Sequence, residues 1–381
     1  MSLLGRVGYI PILKSKMGEW RALGSIPAQD QDCILPLMVV PPAGDFDPEA
    51  GQALEPAEHL KRFGGRAFDY WGRRPFFVDA FHVDDERHAG ESGIHPLTSL
   101  LGRAALAGAR AYPATSLRHT PAYQTAVAQF VSKNPGAPIC VRLNAAELEG
   151  DRLAESLDDL LRSIDCTVQQ ATIVVDLTSL ELTADEHFVD NLLTRLNYLP
   201  NLHDWMQLAV TLTSFPEIPR VVPGERIRRD RTDWQIYQML LACGERLFRR
   251  PIFSDCALEF PNYKPAGRAT PRARFRYSTT SEYVIDSGTT TKKPHGYQAI
   301  FPVARTLASS PEFSGETFSR GDAFIASLAA GRAGPGQAWQ WRWASTDHHL
   351  HLIVDQLRPI LGLPTRATQH APPEPEQALL L

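Results

Sequence analysis

Short runs of β-branched and aromatic residues alternate with longer stretches whose apolar residues recur at helical spacing, and this unit repeats eight times between residues 8 and 258. The strand-like runs are 8–13, 34–40, 76–81, 111–117, 139–143, 172–177, 208–213 and 252–258. Helix-like stretches lie between them at 18–23, 56–63, 96–110, 121–133, 145–164, 184–199 and 232–248. Several carry start signals: Thr120 precedes Pro121, and Thr183 stands before Asp185 and Glu186. Eight strand–helix units in one chain predict an α/β fold of the TIM-like (β/α)8 type, which takes about 250 residues plus insertions. The competing doubly wound open sheet wants a glycine-rich phosphate turn after an early strand. The chain has Lys14-Ser15-Lys16-Met17-Gly18-Glu19 after the first run and His82-Val83-Asp84-Asp85 after the third, with no G-x-G at either place.

The texture changes after residue 266. Arg272-Ala273-Arg274-Phe275-Arg276-Tyr277 alternates charged with apolar or aromatic residues, which predicts an inserted β-hairpin region around 262–297. A further helix is expected near 298–308, then an aromatic strand or turn through Trp339, Trp341 and Trp343, then a capped C-terminal helix from about Thr346. Residues 1–363 read as a single barrel domain. The stretch 364–381 reads as a disordered tail, since it is rich in proline and glutamate and poor in core-forming residues.

Composition narrows the class. The chain has 381 residues, 43% of them hydrophobic, and a net charge of −4. Its longest apolar run, 34–40, ends at Pro41-Pro42 and is far short of the roughly 20 residues that cross a bilayer. No membrane partner is expected. The N-terminus shows no basic region followed by an apolar segment, so a cytoplasmic protein is expected. Cys33, Cys140, Cys166, Cys243 and Cys256 are scattered, which suits reduced, buried thiols better than a zinc site.

In a barrel of this type the strand carboxyl ends line the functional mouth. Alternation along each strand then selects Lys14 and Lys16, Asp79, Arg142, Asp176 and Asp255 as candidates. One reading makes them a phosphate or anion pocket, with Lys14, Lys16 and Arg142 binding and Asp79, Asp176 or Asp255 acting as base or metal ligand. The other makes them a polar network whose charges neutralise one another and tie strand ends together. His348, His349 and His351 lack the i, i+4 pairing of a helical zinc site, and one of them is expected to pack against the tryptophans. His82, His88 and His95 flank Asp84-Asp85-Glu86, which fits a solvated loop better than an ion site. No G-x-S-x-G occurs, which disfavours a serine hydrolase. No cofactor and no metal is implied.

Charge is unevenly spread. Residues 220–293 hold 15 Lys+Arg against 8 Asp+Glu, a balance of +7, which leaves −11 for the remainder of a chain at −4. Arg226, Arg228, Arg229, Arg272, Arg274 and Arg276, the last three interleaved with Phe275 and Tyr277, form a candidate nucleic-acid strip. The alternative is a solvated face whose arginines pair with acids elsewhere.

The opening Tyr9-Ile-Pro-Ile-Leu-Lys14-Ser-Lys16-Met-Gly-Glu19-Trp-Arg-Ala-Leu23 is followed, in order, by Arg74-Pro-Phe-Phe-Val-Asp79, Val141-Arg142-Leu143, Val175-Asp176-Leu177, Trp234-Gln-Ile-Tyr237 and Phe253-Ser-Asp255. Later come Tyr277-Ser-Thr-Thr280, Phe318-Ser-Arg-Gly321-Asp322 and Trp343 with His348-His349. This ordered set, from Tyr9 to about Val354, resembles the bacterial and phage "beta protein" family. The family's usual tyrosine after the eighth-strand aspartate is replaced here by Cys256. The resemblance implies the fold and a setting among mobile elements and phage defence, and implies no catalytic mechanism. Two expectations follow: a barrel component of an antiviral or phage-related system that recognises nucleic acid or a partner protein, with self-association compatible, or a hydrolase acting on phosphoesters or nucleotides at the strand carboxyl ends.

Overall fold

Eight parallel strands close on themselves in the computed structural model. They are Tyr9–Lys14, Leu37–Val39, Pro75–Asp79, Arg110–Thr115, Ile139–Asn144, Ala171–Asp176, Gln207–Thr211 and Ile252–Asp255, here strands one to eight, and strand one pairs with both strand two and strand eight. The structure describes residues 7–44, 46–47, 52–53, 60–84, 93–217, 222–261 and 271–364. The (β/α)8 expectation is met. Most predicted strands ran a few residues too far, because chain leaving the barrel mouth keeps apolar side chains without keeping ladder partners. Residues 34–36 lead into the second strand through an isolated bridge at Ile34 and two single backbone bonds, Leu35 donating to the Tyr9 carbonyl and Phe77 to that of Pro36.

Alternation sorts the strands into two packed layers. Ile10, Ile12, Leu37, Phe77, Ala114, Cys140, Val174 and Ala209 fill the interior. Tyr9, Leu13, Met38, Phe76, Val78, Val141, Ile173, Val175, Val210 and Phe253 face outward into the larger core beneath the helices. Thr120 accepts from the Tyr123 amide at 3.2 Å and opens the helix Pro121–Lys133, as its sequence promised. At the later site Asp185, not Thr183, is the cap, accepting from Phe188 at 2.8 Å. The stretch 145–164 breaks into Ala145–Leu148 and Leu153–Ser163, since Gly150 and Asp151 turn the chain.

The inserted hairpin is present as Arg272–Ser278 and Glu282–Thr290, and 262–270 within the expected insertion lies outside the described residues. A third strand, Arg226–Asp230, pairs with Glu282–Thr290 and completes a small antiparallel sheet. One face of that sheet, with Phe275, Tyr277 and Val284, packs on the helices Ile300–Ala308 and Arg320–Ala329 and on the start of the last helix. Its other face, with Tyr283 and Ile285, packs on Phe215 and Leu258 beyond strands seven and eight, so the sheet sits against one side of the barrel mouth.

The last helix runs Ala338–Leu361, which corrects the expected strand or turn through the tryptophans. The i, i+2 tryptophans imitate strand alternation, yet Trp341 enters the sheet-side core while Trp343 reaches the other way, its Nε1 donating to Ser25 Oγ at 2.9 Å. Arg358 of the same helix pairs with Asp30, so the end of the chain clasps its beginning. Gly321 lets the preceding helix cross closely, since a Cβ there would stand 2.2 Å from the Ala344 carbonyl oxygen. The expected tail from 365 onward lies outside the described residues.

Candidate functional site at the barrel mouth

Register brings the predicted residues to one rim. Lys14 is in register with Val39, and Val39 with Asp79, across strands one to three. Asn144, Asp176, Thr211 and Ser254 form a matching row across strands five to eight. Arg142, one inward-facing position deeper than Asn144, spans the gap between the rows. Its Nε donates to Asp176 Oδ2 at 2.7 Å and its Nη1 to Asp79 Oδ2 at 2.9 Å. Burial alone would weaken the guanidinium's charge, but Asp176 and Asp79 more than restore it and push its pKa upward. Burial likewise works to raise the Asp79 carboxyl, yet Arg142, His119 and the Phe81 amide hold it below the usual range. His119, with Nε2 3.8 Å from Asp79, is pulled down by burial, against the pull of Asp79 and Asp84, which keeps the neutral form dominant near pH 7.

The opposite half of the mouth is cationic. Lys14 Nζ donates to Glu259 Oε2 at 2.9 Å, and Arg276 and Arg342 both converge on the other oxygen of that carboxylate. Arg276 also donates to the Leu258 carbonyl at 2.8 Å. Glu19, on the first helix Met17–Ser25, is buried beside these groups, and among the described residues its Oε2 has no hydrogen-bond partner. Burial, reinforced by Arg342 and Lys16, draws the Lys14 ammonium down to about 8. Burial draws Arg276 down to about 10 and lowers Arg342 as well. Lys16 stands at the start of the first helix, close enough to act on Lys14.

Asp255 is not part of this rim, which corrects its assignment to the pocket. Strand eight turns Ser254 inward, so its successor points out of the barrel. Asp255 accepts from the Tyr9 hydroxyl at 2.6 Å and the Ala257 amide at 2.9 Å, and its Oδ2 lies 2.8 Å from His349 Nε2. His349 Nδ1 meets Ser278 Oγ at 2.6 Å. A serine, a histidine and an aspartate are thus connected, but Ser278, His349 and Asp255 are all wholly buried, and the string joins barrel, sheet and last helix. Burial favours the neutral Asp255 acid, but His349, Tyr9 and the Ala257 amide win and hold its pKa low. The adjacent His348 meets Asp322 at 2.9 Å and stacks on Tyr277 at 3.7 Å, so the histidine pair packs on a tyrosine and an acid, not on the tryptophans. Cys256 takes the inward position beside Arg142 and Asp176, where burial raises its thiol pKa and keeps it protonated.

The arginine strip divides. Arg226 and Arg228 share the helix-side face of the small sheet with Phe275 and Tyr277, their register neighbours, while Arg276 shares the barrel-side face with Ile285. Arg226 grips Asp286 through two bonds of 2.7 Å and reaches Glu312 at 3.1 Å. Arg228 meets Glu282 at 2.9 Å and also Glu312. Arg229 donates to the Arg228 carbonyl, Arg272 to the Gly288 carbonyl and Arg274 to Ser287 Oγ. The six therefore do not form one continuous strip, and Arg276 belongs to the mouth. Glu19, Glu259, Arg342 and His119 were not among the predicted site residues. The signal for Glu259 was its place four residues past Asp255, where loops of this fold carry functional groups. Nothing local marks Arg342, which sits in a helix far along the chain. Among the described residues, no cluster of three or more His, Cys, Asp or Glu side chains is placed to hold a metal ion, and no helix is long and apolar enough to cross a membrane.

Residues 9–355 match the model of a family described as Beta protein. No curated protein matches the chain.

Proposed function

The chain belongs to the Beta protein family, and on that premise we propose that it is a recognition protein holding an anionic, phosphoester-bearing partner at the carboxyl-end mouth of its barrel. The observation that carries this reading is the convergence of Lys14, Arg276 and Arg342, from three distant segments, on the single carboxylate of Glu259. Three cations set against Glu259 and the nearby Glu19 leave positive charge in excess, and cations fixed in a partly buried site attract a phosphate without reorganising. The ion pairing of Arg226 and Arg228 draws the reading away from the small sheet's helix-side face and toward the mouth. A cytoplasmic protein of a phage-defence or phage-related system is part of the proposal, and that setting rests on the family resemblance alone.

A second reading, hydrolysis of the bound phosphoester, is favoured by one feature. His119 is buried beside Asp79 with its neutral form stabilised, as a general base requires.

Binding of short oligonucleotides and nucleotides across a salt series tests the proposal. Affinity is expected to fall steeply with salt, and Arg276→Ala and Lys14→Ala are each expected to weaken it. Absence of binding, or binding indifferent to salt and to both substitutions, removes the proposal.

A further inference from the structure

Across the mouth from its cationic half stands an exposed aromatic side chain. Phe81 lies two residues beyond Asp79, its amide donating to Asp79 Oδ1 at 2.9 Å, and the residue is 44% exposed. Exposure of one apolar side chain is common on protein surfaces; what sets Phe81 apart is its place at the rim and the groups arranged around its ring. Arg118, from the loop after strand four, places its guanidinium 5.8 Å from the ring centroid, within the range of a cation–π contact. His82 meets the ring edgewise at 5.4 Å and His119 leans on it at 5.6 Å. Phe81 is thus held in place from several sides while much of its surface stays open.

Its position relative to the charges matters as much as its exposure. Asp79, Val39 and Lys14 are register neighbours, so the start of the Phe81 loop is two strand spacings, roughly 10 Å, from the strand that carries Lys14. One nucleotide can bridge that interval, with its phosphate on the cations and its base on the ring.

We propose that Phe81 and Arg118 form a base-stacking subsite, so that the anion recognised at the mouth carries an unpaired nucleobase, as a free nucleotide or as an exposed single strand. Base–aromatic stacking accepts any base because each presents a π face, and an arginine over the same ring adds to it. The inference rests on the mouth reading above and sharpens it from a phosphoester to a nucleotide unit.

Titration calorimetry with AMP, ribose 5-phosphate and a short oligothymidylate separates the two claims. AMP is expected to bind the wild-type protein on the order of tenfold more tightly than ribose 5-phosphate, the increment of one stacked base. Phe81→Ala should erase that gap while leaving ribose 5-phosphate affinity unchanged, and Phe81→Trp should retain it. Arg276→Ala should weaken AMP and ribose 5-phosphate by the same factor. An oligothymidylate that binds more tightly than AMP identifies a strand as the ligand; the reverse order identifies a free nucleotide. Equal affinities of AMP and ribose 5-phosphate for the wild-type protein would overturn the stacking subsite and leave the anion site standing. Failure of all three to bind overturns both.

Discussion

Arg142 reaches across the barrel mouth to Asp79, two strands away, with Nη1 2.9 Å from Oδ2, and the same guanidinium holds Asp176 on the neighbouring strand. A cation so occupied has few donors left for a ligand. It acts as a strut between the two rows of the rim, one cation between two carboxylates, whereas at Glu259 three cations share one carboxylate and keep positive charge in excess for an anion.

Arg142→Met is accordingly expected to cost stability, since it leaves Asp79 and Asp176 close together, largely buried and without their shared partner. Breaking a buried pair costs about 3–5 kcal/mol, and with the Arg142 side chain 20% exposed the lower end, about 3 kcal/mol, is expected. Urea denaturation measures it. A change below about 0.5 kcal/mol would show that the strut carries no load.

Asp255→Asn should destabilise the protein by a similar order, about 2–4 kcal/mol, because it disturbs a wholly buried string through Tyr9, His349 and Ser278. Anion affinity of the folded fraction should not change, as Asp255 faces away from the mouth. A mouth-specific loss of binding with the melting temperature intact would return Asp255 to the site.

Anion affinity should decline as pH rises through about 8, where Lys14 loses its proton in the folded protein. The midpoint follows from burial and the neighbouring Arg342 and Lys16, which disfavour the charged form. In Lys14→Arg the decline should disappear from that range, because a guanidinium stays charged. An unchanged midpoint in the arginine variant would assign the titration to another group.

Asp79 has a pKa held below the ordinary carboxylate value, so its contribution to stability is fully present above about pH 4 and is lost as pH falls through the folded value. Asp79→Asn should flatten the acid limb of the stability profile. Equal acid limbs in the two proteins would mean that other carboxylates set it.

Arg226→Ala and Arg228→Ala should leave the salt dependence of binding untouched, since both side chains are already paired on the helix-side face. A shallower slope in either variant would restore the arginines of the sheet's helix-side face as a binding surface.

The barrel was legible because its signal is periodic: inward Ile10 and Ile12 lead to Lys14, and inward Phe77 leads to Asp79, at every second residue. Asp255 was misplaced because the strand ends there, three residues short of the expected run to 258, on a position that faces out of the barrel. Trp339, Trp341 and Trp343 misled for a related reason, since alternate spacing does not say whether the side chains face one core or two. Arg226–Asp230 escaped notice as a strand because its edge position leaves it charged and exposed, without the apolar alternation that marks the others. The cation cluster at Glu259 was only partly within reach: strand alternation points to Lys14, whereas Arg276 and Arg342 join it through tertiary folding alone.

The clasp between Arg358 and Asp30 sets an order of events during synthesis. Their partners lie 328 residues apart, so at roughly 5–20 residues per second the first helix must wait on the order of 15–65 seconds for the last to be made. Over that interval the apolar flank bearing Tyr9 and Trp20 lacks the cover that Leu350, Ile353 and Leu357 later provide. Nascent chains of this protein are therefore expected to occupy holding chaperones for longer than their size alone would require, and release should come late, when the closing helix clears the ribosome.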